Sequence, residues 1–141
     1  MKYAVFYHVF PGDNWEDMYL EQLGALLASK LYEQLDHLHI GFNGSLDLLS
    51  VPDKAVTSEN KNKQEETDTL KALHTWCKDN PDAAVLYMHT KGVSRRTQYT
   101  DDWRHLMEFF CIHQWEKCVN HLVLGADETT PPSDLVGVNW Q

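Results

Sequence analysis

The chain has 141 residues, 43% hydrophobic and 23% charged, with a formal net charge of -9, which suits one globular domain closing a single core. No apolar run approaches the roughly 18 residues needed to span a bilayer. The acidic balance argues against nucleic acid as a partner, because Lys and Arg supply that affinity, so any anion site must be local.

Residues 2–10, KYAVFYHVF, are β-branched and aromatic and stop at Pro11-Gly12, the pattern of a strand closed by a turn. A signal-peptide reading fails because the run carries Tyr and His and no A-x-A-like cleavage pattern follows it. Asp13 with Glu16 resembles a capping box, and Trp15, Tyr19, Leu23, Leu26, Leu27 and Leu31 recur at helical spacing, so one helix is expected to about Leu35. HLHIGFNG, residues 37–44, predicts a short strand ending at Asn43-Gly44. LDLLSV then suits a short strand or a turn, and PDKAVTSENKNKQEET, polar and without period, predicts a mobile loop.

Thr67 is placed to cap a helix with Leu70, Leu73 and Cys77 on its apolar face, ended by Asn80-Pro81-Asp82. AVLYMHT, residues 84–90, is the next strand, and its unbroken apolar run predicts burial on both faces. A long helix over about Thr100 to Leu124 follows, ended by Gly125, and LVGVNW supplies a last strand. The order predicts one α/β domain over residues 1–141, a mostly parallel sheet with helices on both faces.

Cys77, Cys111 and Cys118 leave an odd thiol whatever pairs. On one continuous helix Cys111 and Cys118 would lie roughly 10.5 Å apart along the axis, too far for a disulfide. Free thiols in a reducing compartment, hence a cytoplasmic protein, are the simpler expectation. No C-x-x-C or H-E-x-x-H spacing suggests a metal site.

Ligands of open parallel sheets bind beyond the carboxyl ends of the strands. Here those ends carry His8, Asn43, the run His89-Thr90-Lys91-Gly92, and Asn139. Taken singly, His8 suits a satisfied core histidine, Asn43-Gly44 a turn, and Arg95-Arg96 a solvated loop. Together they suit a diphosphate: Lys91 as a point charge, Arg95 or Arg96 as a bidentate fork, and the following helix N-terminus as a dipole of the right sign. His89 could donate to phosphate or act as acid or base. Asp101 and Asp102 suit helix capping, with Asp102 the sharper candidate for a catalytic carboxylate. Arg104 and Glu108 are spaced for an i,i+4 ion pair.

KYAVFYHVF, HIGFNG, HTKG, DDWR and GVNW, in that order over nearly the whole chain, resemble a group of glycosyltransferase-like proteins of large DNA viruses, phages and bacteria. The pairing of HTKG with WR is similar to rhamnan-synthesis-type glycosyltransferases. The resemblance implies the Rossmann-like half of a glycosyltransferase-A-like fold, a nucleotide diphosphate sugar as donor and a carbohydrate as acceptor. His89, Thr90 and Lys91 match its HTK motif, and Trp103 and Arg104 its WR motif. On these grounds the expected catalytic residues are His89 and Asp102. The expected substrate-binding residues are His8, Asn43, Thr90, Lys91, Arg95, Arg96, Arg104 and Asn139. Metal-dependent relatives carry Asp-x-Asp where this strand ends in His-Thr-Lys, so the resemblance leaves Mn2+ or Mg2+ open without the motif that would hold it. The family usually continues past GVNW, so the acceptor half is expected to be missing. That makes a non-catalytic binding or assembly module the alternative, and an apolar last strand at a sheet edge leaves a homodimer open.

Overall fold

The computed structural model describes residues 1–61, 65–90, 97–125, 127 and 129–137. Strands β1 (Tyr3–Val9), β2 (His37–Phe42), β3 (Ala55–Glu59) and β4 (Ala84–His89) form one sheet in the order β3-β2-β1-β4. Every pairing is parallel, the α/β architecture expected from the alternation of elements. The helices are α1 (Trp15–Ala28), the short α2 (Leu31–Gln34), α3 (Thr67–Asp79), α4 (Gln98–Met107) and α5 (Trp115–Leu124), with a π-helical segment, Glu108–His113, between the last two. No helix among the described residues is long and apolar enough to cross a membrane.

Side chains alternate across each strand, which divides β1 between two layers. Val5, Tyr7 and Val9 join Leu38, Ile40 and Phe42 of β2 in a core with Tyr19, Leu23 and Leu26 of α1, Leu31 and Ile112. Phe6 and His8 face the other way, where Phe6 packs on Trp76 of α3 and stacks on His39. Gly41 lies on that second face. A Cβ there would stand 2.1 Å from Thr69 Oγ1, so only glycine lets α3 sit this close to the sheet.

Several expectations are corrected. The first helix breaks after Ala28 because Lys30 adopts a left-handed conformation (φ 65°). Its start is set by left-handed Asn14 with no side-chain cap, rather than by Asp13 and Glu16. The third helix is preceded by Glu66, and Thr67 donates to Glu65 instead of capping. Part of the stretch expected to be a mobile loop is β3, which Ala55–Glu59 form along β2. Among the described residues strand β4 lies at the edge of the sheet and only Met88 in it is buried, so its apolar run marks a half-covered strand. Leu46–Leu48 form a 3-10 turn, the second of the two forms expected for LDLLSV.

The last helix is interrupted where Gln114 N donates to Phe109 O, five residues back. Across this break Cys118 Sγ donates to Phe110 O at 3.2 Å. All three cysteines are free, and burial pushes Cys111 up to about 11. Gly125 does end α5, with φ 83° and its would-be Cβ 1.9 Å from Thr130 O. Residues 135–137 are not in a strand, and the rest of the expected last strand lies outside the described residues.

Candidate functional site at the carboxyl edge of the sheet

The chain leaves β1 through α1 toward β2, and returns from β3 through α3 to β4 on the other side of β1. The direction of winding therefore reverses between β1 and β4, and at such a switch point two loops part and leave a crevice. His8 and His89 are register partners there.

Three polar residues, each just past a strand, extend the ladders toward this edge. Asn43 N donates to Val9 O, Asn60 N to Phe42 O, and Thr90 N to His8 O. The side chains of Asn43 and Asn60 then meet. Asn60 Nδ2 donates to Asn43 Oδ1 at 2.7 Å and lies 3.1 Å from Thr69 Oγ1 and 3.2 Å from His8 Nδ1. Thr69 Oγ1 is 3.0 Å from the same His8 nitrogen. With donors converging on Nδ1, the proton of His8 is assigned to Nε2. Burial lowers its pKa, Glu66 opposes that shift and His89 adds to it, so His8 is held as the neutral ring.

Thr90 Oγ1 accepts from Phe10 N at 3.1 Å and fixes the start of the turn after β1. His89 stacks on Tyr87, whose hydroxyl donates to Glu66, and the His89 carbonyl accepts from Gln22 Nε2 at 3.1 Å. Burial and the Glu66 carboxylate hold the Tyr87 hydroxyl well above its ordinary pKa. His8, Asn43, His89 and Thr90 are thus gathered at one edge. Lys91, Arg95, Arg96 and Asn139 lie outside the described residues.

Asp102 and Arg104 stand apart from that group on α4. Asp102 is exposed and accepts from Gln98 Nε2 at 2.7 Å. The cap of α4 is a reciprocal Thr97–Thr100 pair rather than an aspartate. Arg104 is 2% exposed and faces α1, donating to Glu21 Oε2 at 2.6 Å and Asp101 Oδ1 at 2.8 Å, with Glu108 Oε1 3.8 Å away. His105 Nε2 contacts the other Glu21 oxygen at 2.8 Å. A cleft of about 80 Å³ lies between this cluster and β4, lined by Gln22, Met88, His89, Met107, Glu108 and Ile112.

Reading the sequence missed Asn60, Thr69, Glu66, Glu21 and Gln22. The one available signal was Gly41, since a glycine inside an apolar strand marks close backbone approach.

A parallel sheet ordered 3-2-1-4, covered on both faces and polar at its carboxyl edge, defines an α/β Rossmann-like domain. The chain belongs to the family described as Domain of unknown function (DUF8361), whose model matches residues 3–130. No curated protein and no solved structure matches it.

Proposed function

We propose that the crevice between β1 and β4 binds the diphosphate of a nucleotide sugar, and that the chain is a glycosyltransferase passing the sugar to a carbohydrate acceptor. The observation that carries this reading is the switch point itself, where His8 and His89 are paired and from which the sequence runs directly into Lys91, Arg95 and Arg96. Cations there would compensate the charge that develops on a leaving diphosphate, the point where fixed electrostatics lowers a barrier most. His89, half-buried at the strand end, is the group for proton transfer.

A second reading, a non-catalytic nucleotide-sugar-binding or assembly module, has its own support. His8 and Asn43 are engaged in the side-chain network that joins α3 to the sheet, and Asp102 is paired with Gln98 on the exposed face of α4.

Calorimetric titration with UDP, GDP and dTDP, with and without Mn2+, tests the donor site. Binding of one nucleotide should be lost in Lys91→Ala and kept in Lys78→Ala, an exposed change in the last turn of α3. Equal affinities in both variants would remove Lys91 from the site. Slow release of sugar from the donor that binds separates a transferase from a module, which would bind without turnover.

A further inference from the structure

Glu21, His105 and Glu108 each offer one ligand atom, and all these atoms lie within 4.8 Å of one another. A triangle with that edge has its centre about 2.8 Å from each corner, so movements of roughly 0.6–0.8 Å reach the 2.0–2.2 Å of zinc bonds to nitrogen and oxygen. His105 and Glu108 are three apart in sequence, one turn along the α4 axis where it passes into the π segment, and Glu21 comes across from α1. Interruptions of this kind recur where a helix must aim side chains at a site.

The arrangement is more than a group of acids on a surface. Glu108 is 7% exposed, and its Oε1 is buried without a hydrogen-bond partner, with the Arg104 Nε no nearer than 3.8 Å. Glu21 Oε2 is taken by Arg104, which leaves Oε1 directed to His105. Among the described residues, Glu21, Asp101 and Glu108 all face Arg104.

We infer that Glu21, His105 and Glu108 form a binding site for a divalent first-row metal ion, zinc by the chemistry of its one-nitrogen, two-carboxylate ligand set. Arg104 then has the place of the outer partner that orients a ligating carboxylate, holding Glu21 by its second oxygen. The rim is open, with the His105 side chain 56% and the Glu21 side chain 35% exposed. An ion can enter, and a position remains for water or substrate. The site is independent of the nucleotide reading and lies on the opposite face of the sheet from the His8 network.

The test uses the full chain, stripped with chelator and titrated without nucleotide, with Zn2+ by calorimetry and Co2+ by visible absorbance. One ion per chain is expected to bind. His105→Ala and Glu108→Gln should each weaken it by about 100-fold or more, since even outer-shell changes cost roughly 10- to 100-fold. His74→Ala, an exposed histidine on α3, should leave it unchanged. Far-ultraviolet circular dichroism and urea midpoints establish that the variants are folded. Equal affinity in the wild type and folded His105→Ala would overturn the assignment. So would an ultraviolet thiolate-to-cobalt band, which would place the ion on cysteine instead, and so would the absence of saturable binding.

Discussion

Two glycine-to-alanine substitutions should move stability in opposite directions. At Gly41 the new methyl would stand 2.1 Å from Thr69 Oγ1 and 3.1 Å from Thr69 Cβ. Thr69 is fully buried, and its hydroxyl lies within hydrogen-bond distance of His8 and Asn60. Either the threonine rotates and leaves His8 Nδ1 short of a donor, or α3 lifts from the sheet. Overpacking a dense interior costs about 1–3 kcal/mol, and a buried polar group losing its partner about 1–3 kcal/mol more, so Gly41→Ala should cost about 2–6 kcal/mol. Gly24, on the outside of α1, has nothing within 4 Å of its would-be Cβ. There the change adds helix propensity alone, a gain of about 0.5–1 kcal/mol. Urea unfolding followed by circular dichroism measures both. A Gly41→Ala cost below about 1 kcal/mol would refute the close approach of α3, and a loss at Gly24 would refute its open surroundings. Thr69→Ala in the Gly41→Ala background should recover part of the loss, because it removes the atom that collides.

Two further outcomes follow from the α1–α4 seam. Arg104→Met leaves the Glu21, Asp101 and Glu108 carboxylates facing one another, and losing one partner of a buried ion pair typically costs about 3–5 kcal/mol, readable as a lower urea midpoint. The pH dependence has two opposed parts in metal-free protein. Hydrogen bonds from Arg104 and His105, outweighing burial, lower Glu21 from 4.5 to about 2, so its stabilisation is present above 4.5 and lost as pH falls toward about 2. Glu108 is raised from 4.5 to about 7, so its contribution is full below 4.5 and lost as pH rises through about 7. Glu108→Gln should accordingly raise the urea midpoint relative to wild type at about pH 8 and change it little at about pH 4. A difference of equal size at both would show that Glu108 does not titrate in this range.

What the sequence displayed and what it hid differ by physical cause. The strands β1, β2 and β4 and the helix α3 were legible because apolar runs bounded by Pro, Gly and Asn leave few alternatives. Strand β3 was hidden because it lies at the sheet edge, where Ala55–Glu59 need only one covered face and show no apolar period. The breaks at Lys30 and at Glu108–His113 were hidden because neither falls on a glycine or proline, and tertiary packing sets them. The positions of His8, Asn43, His89 and Thr90 at one edge could be reached from strand ends alone. The partners that neutralise and orient them, Asn60, Thr69 and Glu66, come from elements whose register with the sheet no local pattern discloses. Arg104 shows the same limit: its spacing to Glu108 was visible, but Glu21, 83 residues away, makes the shorter contact.

The central place of β1 in the sheet also bears on how the chain is made. Its first partner, β2, is close in sequence, while its second is sealed by the contact between Phe10 and Thr90, 80 residues apart. During synthesis β1, β2, β3 and α1 can associate while one side of β1 still offers unpaired backbone along its apolar residues. That exposed edge is the kind that recruits strands from other chains. The ribosome must deliver β4 before it closes, so the interval between the emergence of residue 10 and residue 90 is when this protein is most open to misassembly.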